Sequence, residues 1–249
     1  MDTAYSTAGE AAYQGDDLPT VLWFGLPVGM LAVIFGGRLA GNAFYERWIY
    51  GELGIVELAT MVFALTAGAL ALACWRRRAA LPRPWLGWWL MVFAAGAFYF
   101  GGEEASWGQH LFGWQTPEFI ARLNDHNETN LHNITNWADE KPKQVVDFAS
   151  MIGGIALPLY LMFRRIRLDP NGWMYWFVPT IVVLPSCLLA TVLKSFERIR
   201  DLLQWYPEGI FDMRMSEPQE MYFSLFFMFY AWSFYRRLTQ HGGDKAMRL

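Results

Sequence analysis

The chain has 249 residues, of which 54% are hydrophobic, 17% aromatic and only 17% charged. A soluble domain carries about a quarter charged residues, so this composition argues against one. The net charge of −3 says little about partners, but the lack of a basic patch interleaved with aromatic residues argues against a nucleic-acid-binding protein. Two cysteines far apart in the chain provide neither a disulfide framework nor a Cys-x-x-Cys metal site.

The hydrophobic residues are concentrated in six segments that approach or reach the about 20 residues that a transmembrane helix needs. The fourth is weakened by Asp147 at its start, and the sixth is short and unusually aromatic. We predict an all-α polytopic membrane helix bundle forming one domain over residues 19–236. Its spans are expected at residues 19–40, 54–75, 85–102, 147–163, 173–193 and 219–235.

The basic residues predict the orientation of these spans. Arginines are concentrated in the loops 76–83 and 164–172 and at the C-terminal end, where residues 237–249 form a basic tail. If all six spans form, these segments share one side, which the positive-inside rule assigns to the cytoplasm. The acidic first 18 residues lack the basic start of a signal peptide and predict a flexible cytoplasmic tail.

The longer connections are expected on the outer face and contain short amphipathic helices. The segment 42–53, NAFYERWIYGEL, mixes aromatic and charged residues and suits a helix lying at the interface. Thr116 followed by Pro117 and Glu118 predicts a capped helix that runs to about Leu123. Pro158 inside the fourth span, and Pro179 and Pro185 inside the fifth, predict kinks.

The connection after the third span holds the polar residues that point to function. It contains Glu103, Glu104, His110, Asp125, His126, Glu128 and His132. Asparagine recurs there at every third position from Asn124 to Asn136, which predicts a turn-rich segment. Ionisable groups at a bilayer boundary are costly to desolvate and therefore face one another, water or a ligand.

A metal site is one reading of this connection. Glu128 and His132 are four residues apart and share a face if the segment is helical, and His110 and His126 add two imidazoles. Three imidazoles with carboxylates suit Zn²⁺, which would generate a hydroxide for hydrolysis. Neither His-Glu-x-x-His nor a paired Glu-x-x-His is present, so the spacing permits a metal without specifying one.

Acid/base chemistry without a metal and a purely structural role are the other two readings. Glu103 or Glu104 would exchange a proton with His126 or His132. Ser106, as a nucleophile near His110, lacks the Gly-x-Ser-x-Gly and Ser-x-x-Lys patterns. In the structural reading, these groups tie the outer loops to the helix ends, through pairs such as Glu104 with Arg198. Other charged residues expected at the same depth are Glu57, Asp147, Lys194, Glu197, Glu217 and Glu220.

The strings GGEEASWGQHLFGWQTPEF and NETNLHN resemble the shared signature of a group of uncharacterised bacterial polytopic membrane proteins. The pattern of that group is close to EE-x-SWGQ-R-x-FG followed by ETNLHN, and this chain has His110 where the pattern has Arg. The resemblance brings no assigned activity. It implies a bacterial inner-membrane protein with its polar loop in the periplasm, and it marks as family positions Glu103, Glu104, Ser106, Trp107, Gln109, Glu128, Asn130 and His132.

We therefore expect a polar site at the periplasmic face that binds or transforms a lipid or lipid-linked substrate. The residues expected to carry the chemistry are Glu103, Glu104, Glu128 and His132. Those expected to bind the substrate are Ser106, Trp107, Gln109, Asn130 and Arg198, and those expected to hold a divalent metal such as zinc are His110, His126 and His132. The alternative is an accessory subunit that docks on other membrane proteins through its aromatic sixth span and Trp-rich third span.

Overall fold

The structure, a computed structural model, describes residues 18–51, 53–123, 128–130, 136–205 and 209–246. Across these residues the secondary structure is helical and contains no strand, which confirms the all-α prediction. Short 3₁₀ turns lie at Arg78–Ala80, Ser106–Gly108, Ile181–Val183 and Gly209–Phe211. In chain order the helices are α1 (Val21–Leu39), α2 (Asn42–Phe44, continued by a π-helical turn at Tyr45–Ile49), α3 (Ile55–Arg76), α4 (Pro84–Glu104), α5 (Gln109–Phe112), α6 (Glu118–Ala121), α7 (Asn136–Phe148, continued by Ala149–Ala156 and Leu157–Phe163), α8 (Trp173–Phe177), α9 (Leu184–Leu202) and α10 (Ser216–Ala246).

Five helical segments in the described chain are long and apolar enough to cross a membrane. They match the first five predicted spans, although the fourth begins at Lys141 rather than at Asp147. The segments are Val21–Leu39, Ile55–Arg76, Pro84–Glu104, Lys141–Phe163 and Trp173–Leu202. The predicted sixth span lies in α10, which has 31 residues but is not among the five, because tyrosine, serine and charged residues dilute its hydrophobicity.

Helix α10 is the central helix of the bundle. Between Gln219 and Ala231 every residue except Phe227 is buried, so α10 is covered on all of its faces, as an apolar helix inside a larger core is. Its neighbours are α3, α9, α4 and the 3₁₀ turn before α9. The prediction that this aromatic span docks on a partner protein is wrong, since Tyr222, Phe223 and Phe229 are fully enclosed within the chain itself.

Aromatic and small side chains hold α10 in this position. Tyr222 donates its hydroxyl hydrogen to the carbonyl of Pro27 in α1 (2.9 Å), and Tyr230 accepts a hydrogen bond from the Trp89 indole of α4 (2.9 Å). On α3, by contrast, the buried residues after Val56 are all small, which lets backbones approach closely. They are Thr60, Ala64, Ala67, Gly68, Ala71 and Cys74.

The fifth span is interrupted where the sequence predicts a kink. Helix α8 ends at Phe177, Val178 is extended, and the helix resumes through Ile181–Val183 into α9. Pro179 has no amide hydrogen and disfavours a helical residue before it, which accounts for the break. Cys187, on α9, and Cys74 are both buried and free.

The short helices of the outer connections also form. The predicted interfacial helix is α2, and the helix predicted from Pro117 is α6, which spans Glu118–Ala121 with Pro117 at its cap. The expected cap by Thr116 is wrong, because no side chain caps α6 and the Thr116 hydroxyl instead accepts a hydrogen bond from Gln109 (3.0 Å).

The order of the helices gives the bundle two chemically different ends. Helices α3 and α10 begin, and α4 ends, at one end, which carries glutamates. At the other end α3 finishes in arginines, and the guanidinium of Arg77 lies over the ring of Tyr235 in α10 (5.4 Å). Because α10 accompanies α3 from one end to the other, it extends through the same thickness as a predicted span.

Candidate functional site

A cavity of about 420 Å³ opens at the acidic end of the bundle. Its walls come from the first turns of α3 and α10, the last residue of α4, the connection 46–51 and the polar connection after α4. The ionisable groups on its walls include one histidine, His110, and one arginine, Arg214. They are outnumbered by six glutamates: Glu46, Glu57, Glu104, Glu128, Glu217 and Glu220.

Two of these glutamates face each other at the inner wall. The side chains of Glu104 and Glu220 are within hydrogen-bonding reach, and a hydrogen bond between two carboxyl groups needs a proton on one of them. Lys143 of α7 approaches from the other side, with its Nζ 2.5 Å from Glu220 Oε1. The Glu220 side chain is only 8% exposed, so the Lys143 ammonium compensates its charge.

Glu217 lies one helical turn before Glu220 and beside the side chain of Tyr50. Burial raises the pKa of Glu217 to about 7. The hydrogen bond from the Tyr50 hydroxyl lowers it in part, whereas the nearby carboxylates of Glu220 and Glu57 raise it further. Arg214 donates to the Tyr50 oxygen (3.0 Å) and fixes that ring. A carboxyl group with a pKa near neutrality is suited to exchange protons at physiological pH.

The polar connection contributes three hydrogen-bonded side chains to the outer wall. Ser106 donates to Glu128 Oε2 (3.3 Å), and the Asn130 amide donates to the same carboxylate oxygen (2.6 Å) and to the Ser106 hydroxyl (3.2 Å). His110 Nε2 lies 3.9 Å from the other oxygen of Glu128. Ser106 thus bonds a carboxylate rather than serving a histidine base, and this geometry does not support the nucleophile hypothesis.

The backbone at the end of α4 turns sharply to place Ser106 there. Ser106, Trp107 and Gly108 have φ values of 43°, 56° and 93°, a region that costs free energy for residues other than glycine. The Trp107 indole donates to Glu103 Oε1 (2.7 Å), which stabilises the turn. Backbone strain held in place by such contacts is concentrated at functional sites.

Gln109 attaches the segment 128–130 to the same turn. Its side-chain oxygen accepts a hydrogen bond from the Thr129 amide (2.6 Å), while its amide group donates to Thr116. The Trp114 indole donates to the Thr129 hydroxyl (3.3 Å). Glu128 and Asn130 are therefore held at the cavity by bonds on both sides.

The structure separates the predicted site residues into three groups. Glu104, Ser106, His110, Glu128 and Asn130 line the cavity. Glu103, Trp107 and Gln109 form the hydrogen bonds that support it and, in the part of the chain described, do not line it. His126 and His132 lie outside the described residues.

Arg198 requires a correction. It is exposed on α9 and pairs with Asp147 (Nη2 to Oδ2, 3.5 Å), so the expected ion pair with Glu104 does not form. Arg198 does not line the cavity. Arg214, which was not predicted as a site residue, does.

The described residues provide limited support for a metal centre. No group of three His, Cys, Asp or Glu side chains among them is arranged to hold a metal ion. The zinc hypothesis that combines His110 with His126 and His132 remains a prediction, since two of its three imidazoles lie outside the described residues.

Sequence reasoning also missed Glu46, Tyr50 and Lys143. Glu46 belongs to the interfacial helix and Tyr50 follows it directly. Lys143 lies in the helical residues that precede the predicted start of the fourth span. The amphipathic character of residues 42–53 could have identified Glu46 and Tyr50, because the polar side of such a helix has to face water or other polar groups.

Comparison with known proteins gives no matching family model, no matching curated sequence and no matching solved structure.

Proposed function

We propose that the acidic cavity binds the polar headgroup of a lipid or lipid-linked substrate that carries an amine, and exchanges protons with it. The observation that carries this proposal is the glutamate-lined cavity at the end of helices apolar enough to cross a membrane. A substrate held there keeps its headgroup among the carboxylates while its chains remain in the bilayer. A cation is favoured because six glutamates face one arginine and one histidine on the cavity walls.

The proposed proton exchange involves Glu104, Glu220 and Glu217. The first two share a proton across the cavity wall, so one of them is available as an acid and the other as a base. Glu217, with its pKa near 7, changes protonation state at physiological pH. Glu128 is oriented by Ser106 and Asn130 and is suited to bind the substrate by accepting hydrogen bonds.

The proposed location is the bacterial inner membrane, with the cavity facing the periplasm. The arginines after α3 and α7 and in α10 are all placed at the end opposite the cavity, and the positive-inside rule assigns that end to the cytoplasm. The path of α10 alongside α3 supports α10 as a sixth crossing, which would return the C-terminus to the cytoplasm.

Short-chain lipids test the proposal in detergent solution. Dihexanoyl phosphatidylethanolamine carries the amine, whereas dihexanoyl phosphatidic acid has the same phosphate and chains without it. We expect tighter binding of the amine-bearing lipid by native mass spectrometry or calorimetry. We also expect this preference to fall at least tenfold in the double variant Glu104→Gln/Glu220→Gln, which keeps the shape of the cavity but removes its central carboxylates.

Glu118→Gln is the matched control, since Glu118 is an exposed glutamate on α6 outside the cavity, and it should leave the preference unchanged. The same samples, incubated with extracted bacterial polar lipids, are analysed for lipids whose headgroup mass changes over time. Equal binding of the two short-chain lipids by the wild-type protein would overturn the amine proposal. Isolation only in a fixed-stoichiometry complex with other membrane proteins, with no lipid preference, would favour the accessory-subunit alternative.

A further inference from the structure

A second, smaller cavity adjoins the acidic one and has the opposite character. It encloses about 180 Å³, several times the roughly 30 Å³ of one water molecule in the liquid. Arginines from three separate segments line it: Arg38 in the last turn of α1, Arg200 in the last turn of α9, and Arg214 just before α10. Two carboxylates also belong to its walls, and one of them, Asp212, has a side chain that is 66% exposed.

Arg38 is rigidly positioned on this wall. Its side chain is only 5% exposed, and its three nitrogens donate to the carbonyl of Gly209 (3.0 Å), to Asn42 (2.6 Å) and to Asp212 (3.1 Å). Its guanidinium lies over the ring of Tyr45, 5.5 Å from the centroid. A cation fixed in this way needs no reorganisation to receive an anion.

Two buried donors on the same walls have no hydrogen-bond acceptor among the described residues. Tyr45 is 2% exposed, and its hydroxyl has no hydrogen-bond partner among the described residues. The Nε of Arg200 is likewise buried without a hydrogen bond in that part of the chain, with Asp201 3.9 Å away, while Nη1 donates to the carbonyl of Met213 (3.0 Å). Buried donors are satisfied in nearly all proteins, so this pair, which no described residue satisfies, is suited to an acceptor from a bound ligand.

The place of this cavity in the fold suggests the source of that acceptor. Arg38 and Arg200 lie at the ends of helices that are long and apolar enough to cross a membrane, and the ends of such helices in a bilayer lie near its phosphates. The two cavities share Glu46, Tyr50 and Arg214 as a common wall. A ligand with a phosphate next to an amine therefore matches both cavities, with the anion among arginines and the cation among glutamates.

We propose that the arginine-lined cavity binds the phosphate group of the lipid or lipid-linked substrate whose amine occupies the acidic cavity. This proposal rests on the function proposed above and names the second half of the headgroup. Arg200 and Tyr45 provide the hydrogen bonds to the phosphate oxygens, Arg38 and Arg214 provide charge, and free inorganic phosphate is the other possible source of the same chemistry.

The test compares two soluble lipids that differ by the phosphate. Dihexanoyl phosphatidic acid carries it, and dihexanoylglycerol has the same chains without it. We expect the wild-type protein to bind the phosphate-bearing lipid more tightly, Arg200→Gln to reduce its affinity at least tenfold, and Tyr45→Phe to reduce it about threefold to tenfold by removing one hydrogen bond. Tyr45→Phe keeps the ring and serves if Arg200→Gln fails to fold.

The matched control is Arg198→Gln, since Arg198 lies two residues earlier on the same helix, is exposed and pairs with Asp147 outside the cavity. Unchanged affinity in both Arg200→Gln and Tyr45→Phe would overturn the phosphate site. If inorganic phosphate binds in an Arg200-dependent manner and no lipid displaces it, the lipid source is overturned. If the double variant Glu104→Gln/Glu220→Gln loses the preference for the amine but still binds phosphate, the amine site alone has been removed. The two proposals can therefore fail independently of each other.

Discussion

Both ends of the bundle place charged side chains next to apolar helices, but these charges are compensated by different groups. At the arginine end, Arg237 is 2% exposed, donates to the carbonyl oxygens of Tyr175 and Ser233, and lies within 5.9 Å of three aromatic ring centroids. At the glutamate end, the carboxylates of Glu104 and Glu220 lie beside each other, Lys143 pairs with Glu220, and a cavity opens next to them.

The difference follows from the chemistry of the two groups. A guanidinium is delocalised, weakly hydrated and attracted to ring faces, so carbonyls and aromatic rings of the same chain can enclose it. A carboxylate only accepts hydrogen bonds, and most backbone donors in a helix are already occupied. The acidic end is therefore left with capacity for cationic ligands, while the arginine end is closed.

The largest expected effect is at the closed end. Arg237→Met keeps an apolar side chain of similar length but removes the side-chain hydrogen bonds to the carbonyls of Tyr175 and Ser233 and the contacts of the guanidinium with the aromatic rings. We expect the free energy of unfolding in detergent to fall by about 3 kcal/mol. Thermal or denaturant unfolding followed by circular dichroism measures this loss.

Arg236→Met is the control, because Arg236 is the exposed neighbour of Arg237 in the same helix, and it should change stability little. Lipid binding by folded Arg237→Met protein should equal that of the wild type, since the cavities are at the other end. A stability loss as large in Arg236→Met would show that net charge, rather than the buried contacts, stabilises the arginine end.

A smaller effect is expected from removing the lysine at the acidic end. Lys143→Met leaves Glu220 beside Glu104 without its ammonium partner. We expect a loss of about 2 kcal/mol at neutral pH, less than for a fully enclosed ion pair because the Lys143 side chain is 33% exposed. Adding Glu220→Gln to this variant should recover most of the loss, as measured by a double-mutant cycle. Additive losses in the double variant would mean that the two groups do not interact.

The hydropathy pattern located the spans well but could not order the helices. The first three spans lie close to their predicted positions, whereas the fourth begins at Lys141 rather than at 147 and the fifth ends at Leu202 rather than at 193, because charged residues conceal helix that continues out of the apolar segments. An aromatic helix facing lipid and one enclosed by protein have the same composition. For this reason the sequence predicted the position of α10 but not its central place.

The candidate site was predicted in part for a related reason. Glu104 was found because it ends an apolar span, whereas its partner Glu220 and the lysine beside it come together only through tertiary packing. Arg198 was chosen because it follows the fifth span. Arg200, two residues later, points in a different direction because two residues turn an α-helix by about 200°, and only Arg200 lines a cavity.

The smallest expected effect concerns the pH dependence of the acidic end. The folded-state pKa of Glu217, about 7, is above the value of 4.5 for an ordinary glutamate, so between these values the folded state retains a proton that the unfolded state releases. The free energy of unfolding therefore falls as pH rises through this window, and the loss is complete above pH 7. Solvent in the open cavity screens the effect, so we expect a cost on the order of 1 kcal/mol.

Glu217→Gln should remove this part of the pH dependence. The variant should match the wild type near pH 4.5 and be more stable than it at pH 8, as measured by melting temperature in the same detergent. Glu57, Glu220, Tyr50 and Arg214 face Glu217 and are the same in both proteins, so the difference between the two curves isolates the one carboxyl group. A stability difference between the two proteins that does not change with pH across this window would mean that Glu217 is already ionised at pH 5. Repulsion between carboxylates, rather than retained protons, would then keep the acidic cavity open.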